Sequence, residues 1–386
     1  MKKAGLCVRY DCNNYGSMLQ ILATQKAIEK MGWQYEIIRY DKQTLLFLIK
    51  NITRLFNPYF MRGKIIAYKK NKSIKANPEI QKNNAARLNR FRDYRKKYIG
   101  PYSTVFKGEK KLTQATLAYD AVIVGSDQLW TPAGIKSRFY NLLFVPDSVR
   151  KIAFATSFGI SEVPKNQIKL TKEYLERIEF LSVRETTGAD IIKRLTGRDA
   201  KVAVDPTLLF NEDEWNSIFP YERQSSEPYI FAYFLGTSEV HRRLVEEFAK
   251  EKNLKIITCP HLDEYVESDN EFGDEQRFDV DPVDFLNLIR GAEYICTDSF
   301  HGSVFSILNH KKFVTFSRYT DAIRKSKNGR IVSLFSQLGI SNRHVTSYDT
   351  GISDIIDAEI DYGSVDSVLI GLRNETYEFL DKALNG

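Results

Sequence analysis

The sequence predicts an α/β protein built from two parallel-sheet, Rossmann-like domains that face one cleft. Three observations carry this. Short apolar runs of buried-strand type alternate with helix-length segments in two separate series, one from Lys3 to about Val204 and one from Tyr229 to about Leu338. At 386 residues the chain is too long for one ordinary core and sufficient for two. An acidic, proline-bearing stretch from Asn211 to Glu227 separates the series and puts the boundary between Pro206 and Pro228. The expected division is an N-terminal domain over 1–210 with a basic helical insertion at about 42–115, a C-terminal domain over 211–365, and a terminal helix over 366–386.

In the first series, Lys3 to Val8 reads as a strand, Asp11 to Ser17 as a polar turn, and Met18 to Met31 as a helix ended by Gly32. Tyr35 to Tyr40 is the second strand. This start is Rossmann-like in outline but lacks GxGxxG, so it does not imply a dinucleotide. Asn13, Asn14 and Gly16 tolerate the backbone angles of a tight, ligand-facing turn. The sheet resumes with Tyr119 to Val124, which ends in Gly125-Ser126-Asp127-Gln128-Leu129-Trp130. Lys151 to Thr156, Phe180 to Glu185 and Val202 to Val204 follow as strands. The second series has strands at Tyr229–Leu235, Leu254–Thr258, Glu293–Cys296 and Phe313–Phe316. Its helices are His241–Lys250, Pro282–Arg290 with Asp281 as cap, Ser303–Leu308 and Arg330–Leu338.

The composition, 43% hydrophobic and 27% charged, is globular rather than disordered. The apolar run Ala4 to Val8 is too short for a signal core or a membrane span, and the four cysteines show no CxxC pairing. Both suit reduced thiols in a cytoplasmic protein. Five scattered histidines give no metal-ligand spacing. The net charge of +7 is concentrated: Arg62 to Lys97 holds thirteen Lys or Arg against Glu79 and Asp93. Following the apolar run Leu45 to Ile49, this suits peripheral contact with an anionic membrane, or else a solvated helix pair packed on its own domain. No nucleic-acid motif accompanies it.

The chain is organised around Thr297-Asp298-Ser299-Phe300-His301-Gly302, a strand-to-helix turn. Ser299 can cap the new helix, whose first-turn N–H groups favour an anion, and His301 adds a proton carrier. The alternative is a capped helix with an ordinary surface histidine. Other strands also end in polar turns: Asn13 to Ser17, Ser126-Asp127, Ser182 to Glu185, and Asp205. Together they suit a small doubly charged anion plus proton transfer. Arg184 could instead pair with Glu185 or a neighbouring helix, and Asp127 could simply satisfy its own backbone.

Asn14-Tyr15-Gly16-Ser17, Gly125 to Trp130, Ser182-Val183-Arg184-Glu185, Val204-Asp205-Pro206-Thr207 and Thr297 to Gly302 occur in this order. The set resembles the polysaccharide pyruvyl transferase family, from the first strand to about Leu338. The resemblance implies a GT-B-like fold and transfer of a pyruvyl group from phosphoenolpyruvate to two hydroxyls of a sugar, giving a ketal and phosphate. It implies His301 as general acid and Arg184 as donor ligand. The donor set expected with it is Asn14, Gly16, Ser17, Ser126, Ser299, Gly302 and Arg330. Asp127 or Asp298 would be the base. Some relatives carry an arginine where this chain has Ser299; Arg324, Lys325, Lys327 and Arg330 are replacements by position. The chemistry requires no metal and no cofactor beyond phosphoenolpyruvate as substrate. The acceptor would be a sugar or glycan, free or lipid-linked, in cell-envelope polysaccharide synthesis. A nucleotide-sugar glycosyltransferase and a non-catalytic glycan-binding protein are the alternatives on the same architecture.

Overall fold

The computed structural model describes the chain except residues 42–48, 50–51, 53–55, 66–67, 69–76, 261–265, 319–328 and 349–350. The first sheet comprises β1 (Lys3–Cys7), β2 (Gln34–Asp41), β3 (Ser103–Lys107), β4 (Ala121–Val124), β5 (Arg150–Thr156), β6 (Phe180–Val183) and β7 (Lys201–Val202). Its order is β3-β2-β1-β4-β5-β6-β7, parallel throughout. The second comprises β8 (Tyr229–Tyr233), β9 (Lys255–Thr258), β10 (Glu275–Gln276), β11 (Tyr294–Thr297), β12 (Lys312–Phe316) and β13 (His344–Val345), in the order β10-β9-β8-β11-β12-β13. It too is parallel. Each order runs outward from a central first strand and then reverses, the Rossmann pattern. The reversals fall between β1 and β4 and between β8 and β11, where ligands bind in open α/β sheets. Strands β4 and β8 are buried throughout, which is why they read as unbroken apolar runs.

The stretch 42–115, expected to be mostly helical, contains β3. Thr104 and Val105 are exposed on this edge strand, so its sequence carries no core-facing alternation. The two-residue strands β10 and β13 are likewise too short to leave a period.

A long helix, Pro78–Tyr98, begins with Asn77 accepting from Glu79 N and Ile80 N and with Pro78 in its first turn. It turns Arg87, Phe91 and Tyr94 inward. Arg87 donates to Asn13 O (2.8 Å), and Arg95 donates to Cys12 O (3.0 Å) and Asn13 Oδ1 (2.8 Å). Arg90 pairs with Asp284 and Asp281, the capping box of helix Pro282–Gly291 in the other lobe. These basic residues therefore fasten the turn after β1 and bridge the lobes. The rest of the basic stretch includes residues outside those described.

Helix Tyr15–Lys30 lies buried along most of its length where the lobes meet. Tyr15 stacks between Phe91 (centroids 4.9 Å apart) and Phe285 (4.8 Å), joining the long helix, this helix and the second lobe. The C-terminal helix, Tyr362–Asn385, begins a turn ahead of the expected Asp366 and returns to the first lobe. Its Thr376 accepts from Val204 N (3.2 Å), its Arg373 donates to Leu208 O (2.6 Å), and its Asn385 accepts from Trp33 Nε1 (2.9 Å). Among the described residues no helix is long and apolar enough to cross a membrane.

Candidate functional site

Two helix N-termini meet at the interface. Helix Tyr15–Lys30 follows β1 and is capped by Asn14, whose Oδ1 accepts from Ser17 N at 3.0 Å. Helix Phe300–Leu308 follows β11 and is capped by Ser299, whose Oγ accepts from Gly302 N at 3.3 Å. Both present unpaired N–H groups and a positive dipole end to the same space. Their approach depends on Gly16. A Cβ there would stand 2.1 Å from His301 Cγ, so any larger residue displaces the imidazole or parts the lobes.

Beneath the two helix ends runs a buried chain of charge. Asp127 follows β4 at φ +85°, past Gly125, where a Cβ would strike Phe154 O at 1.9 Å. Asp127 Oδ2 accepts from Ser17 Oγ (2.7 Å), and Oδ1 accepts from Gln128 N (2.7 Å) and lies 3.4 Å from Arg184 Nη2. Arg184 Nη1 pairs with Asp205 Oδ2. Asp205 Oδ1 accepts from Thr207 N (3.0 Å) and Oγ1 (2.7 Å), while Oδ2 stands 3.6 Å from His301 Nε2. The sequence Ser17, Asp127, Arg184, Asp205, His301 thus links the first helix to the histidine across the lobes. Burial raises the carboxyl pKa of Asp127 and Asp205. The Arg184 charge, with His301 and for Asp127 also Arg9, outweighs it and holds both well below the usual carboxylate range. Burial works against the Arg184 charge, and Asp205 and Asp127 reverse that too. Glu185 bonds Ser157 Oγ and Phe158 N.

Above this chain lies a cavity of about 410 Å³. Asn14, Ser17, Asp127, Ser299, His301 and Arg330 line it, so six residues expected from the sequence converge. Arg9, Asp11 and Arg318 line it as well. Each lies within a few residues of the end of β1 or β12, and that position was the available signal for them. The guanidiniums of Arg184 and Arg330 lie 5.3 and 5.1 Å from the centre of the Phe300 ring, which supports two like charges close together. Burial, then the Arg184 charge, pushes the pKa of Arg330 down to about 10, and its Nε has no hydrogen-bond partner. An anion in the cavity would relieve both.

The other expected residues stand behind the wall. Arg184 is not among the lining residues; its side chain is 1% exposed and engaged with Asp127 and Asp205. Ser126 is buried and donates to Ala155 O at 2.6 Å. Asp298 accepts from Leu235 N (2.7 Å) and Gly236 N (2.8 Å), one bond per oxygen, and so ties β11 to the end of β8. Gly302 gives Thr297 room, since a Cβ would lie 2.7 Å from its Oγ1. Arg324, Lys325 and Lys327 lie outside the described residues. Asp205 is the member of the charge chain missing from the expected site residues, although Val204-Asp205-Pro206-Thr207 carried part of the resemblance. A second interlobe cavity, about 620 Å³, is lined by residues such as Thr186, Ser317, Ser333 and His344, without a Lys, Arg, Asp or Glu among the described ones. It is the poorer match for a doubly charged anion.

Comparison with known proteins gives the fold and the family. A proposed UDP-N-acetylglucosamine 2-epimerase of Listeria monocytogenes is similar in structure, with a TM-score of 0.50 at 10% identity over 99% of this chain and 90% of that one. S. aureus MnaA, solved with UDP, gives 0.50 at 12% identity over 99% and 91%. At such identity the likeness concerns fold alone, and with the two Rossmann-order sheets it makes the architecture GT-B. No curated protein matches the chain. The model of one sequence family, Polysaccharide pyruvyl transferase, matches residues 14–319, which span every motif of the site from Asn14 to Arg318, and the chain belongs to that family.

Proposed function

We propose that the protein transfers the pyruvyl group of phosphoenolpyruvate to two hydroxyls of a sugar in a cell-surface polysaccharide or its precursor, with His301 as the general acid. The observation that supports this most is the placement of a histidine at a helix N-terminus in an arginine-lined cavity, with Asp205 beneath its ring. Phosphoenolpyruvate is small and carries a carboxylate and a phosphate. Arg9, Arg318 and Arg330, with the two helix N-termini, supply the countercharge such a donor needs. Arg184 adds positive potential from behind Phe300 while it fixes Asp127 and Asp205.

In this reading His301 gives its proton to the methylene carbon, which leaves the neighbouring carbon electrophilic. A sugar hydroxyl attacks that carbon and releases its proton, phosphate departs with the C–O bond electrons, and a second hydroxyl closes the ketal. Asp127 lines the cavity, but with its pKa held so low it is a weak base. The phosphate, with a second pKa near 6, is the better acceptor for one hydroxyl proton, and the other returns to the His301 imidazole. Asp127 then acts by holding Ser17 and Arg184 in place.

Incubation with phosphoenolpyruvate and a panel of glycans should release inorganic phosphate only when a suitable sugar is present, and the product should gain a pyruvyl ketal by mass. Consumption of a nucleotide-sugar with no phosphate released from phosphoenolpyruvate would replace this reading with glycosyl transfer. Glycan binding without turnover of either donor would replace it with a binding role.

A further inference from the structure

A second cavity, about 490 Å³, opens beside the first. Arg39, Arg92, Arg95 and Lys96 line it, with Asp11 as its one acidic lining residue among those described. Asp11 also lines the reaction cavity, so the turn after β1 separates the two spaces and belongs to both. This is a built arrangement. The Pro78–Tyr98 helix brings up Arg92, Arg95 and Lys96, and β2 brings Arg39 from a distant part of the chain. Arg95 is anchored by its bonds to Cys12 O and Asn13 Oδ1. Burial lowers its pKa, and the Arg39 charge lowers it further, so the guanidiniums repel across the cavity. Four cations facing one carboxylate are a poor lining for an uncharged sugar and a good one for an oligoanion.

We propose that this cavity is an acceptor subsite that binds a phosphate or diphosphate group carried by the sugar, placing the sugar hydroxyls over the donor across the Asp11 turn. The proposal rests on the pyruvyl-transfer reading for the word acceptor; the anion site itself does not. A diphosphate could come from a nucleotide or from a prenyl carrier, and both present the same group to these residues.

The test is calorimetric titration of the full chain with inorganic pyrophosphate, independent of turnover. In the Arg39→Gln/Lys96→Gln double variant, which removes two of the four lining cations, affinity should fall at least tenfold, and because both residues are exposed the urea midpoint should stay close to the parent's. In Arg330→Gln, which alters the reaction cavity, affinity should stay within about threefold of the parent. The opposite pattern would put the diphosphate in the reaction cavity and overturn the proposal. Equal affinity in all three proteins would reduce the site to nonspecific surface attraction and overturn it as well. Competition by UDP and by geranyl diphosphate then identifies the source: the compound that displaces pyrophosphate at lower concentration carries the matching group. Loss of pyrophosphate binding in the double variant alongside failure of phosphoenolpyruvate turnover would keep the site and refute only the pyruvyl reading.

Discussion

Each lobe sets an arginine against a buried aspartate just past the end of a strand, and the two pairs are wired differently. In the second lobe, Asp298 gives one oxygen to Leu235 N and the other to Gly236 N, and Arg318 donates to the Asp298 backbone carbonyl at 2.6 Å. Those bonds close on neighbouring strand ends and hold the turn in which Ser299 and His301 sit. In the first lobe, Asp127 and Asp205 share Arg184; Asp127 turns its other oxygen to Ser17, while the Asp205 oxygen that pairs with Arg184 also faces His301 Nε2 and its other oxygen accepts from Thr207 N and Oγ1. An acidic residue at a strand end is thus no evidence of chemistry by itself. What distinguishes the pairs is reach: the Asp298 oxygens close on Leu235 N, Gly236 N and Arg318 of their own lobe, whereas Asp127 and Asp205 carry the Arg184 pair to Ser17 and, across the lobes, to His301.

The largest expected effect tests the end of that chain. His301→Ala should lower phosphate release from phosphoenolpyruvate about 10³-fold, the scale of a positioned general acid, while donor binding by calorimetry changes little. A turnover rate close to the parent's would remove the histidine from the reaction and leave the charge chain without a target. The next effect separates the two aspartates. Asp205→Asn removes a partner of a buried arginine, so stability should fall by about 3 kcal/mol and turnover about 10²-fold through misplacement of His301. Asp298→Asn should cost about 1–3 kcal/mol of stability by leaving a backbone donor unsatisfied, with turnover per folded molecule within about twofold of the parent. Equal loss of turnover in the two variants, after correction for folded fraction, would erase the distinction between fastener and relay.

A smaller effect tests how the lobes are brought together. Gly16→Ala forces a Cβ against the imidazole, so turnover should drop ten- to a hundredfold and stability by about 1–3 kcal/mol from overpacking. In a His301→Gly background, which removes both the ring and the Cβ that would stand 2.3 Å away, the same change should cost far less in stability. Additive losses in the double variant would mean that Gly16 serves its own helix and not the approach of the second lobe.

Much of this was legible in the sequence because the site sits where strands end. Buried parallel strands such as Ala121–Val124 and Tyr229–Tyr233 announce themselves as apolar runs, and the polar residue that follows each is already near a crevice. Asn14, Ser17, Asp127, Ser299 and His301 are recognisable on those terms, and Arg330 only by position, as a replacement for an arginine at Ser299. Depth was not. Nothing in the spacing shows that Arg184 lies behind Phe300, or that Asp298 faces Leu235 and Gly236 and not the cavity, since both depend on how the sheets twist past each other. Arg9, Asp11 and Arg318 stand in turns, where single charges are common and carry no signal of their own. Edge strand β3 was hidden because exposed residues on both its faces leave no period to read.

The smallest effect concerns a histidine outside the cavity, which sharpens the contrast with His301. His241 is buried in the second lobe, 4.7 Å from the Phe316 ring by centroids, with Nε2 at 3.0 Å from the Tyr348 hydroxyl. Burial is the main cause that pushes its pKa down to about 4. The unfolded chain therefore binds a proton at about pH 6.5 that the native state refuses until about pH 4. Stability from this group is fully present above the unfolded value and is lost as pH falls through that window, by roughly 3 kcal/mol in total. Asp127 and Asp205 have the same sign in a lower window: their contribution is complete above about pH 4 and disappears only as pH falls toward their depressed native values. Urea midpoints measured from pH 7 to 4.5 should decline in the parent and stay nearly level in His241→Leu. A parent-like decline in that variant would assign the mildly acidic limb to groups elsewhere, and a decline that vanishes in Asp205→Asn instead would make the charge chain, and not the buried imidazole, the acid-sensitive part of the fold.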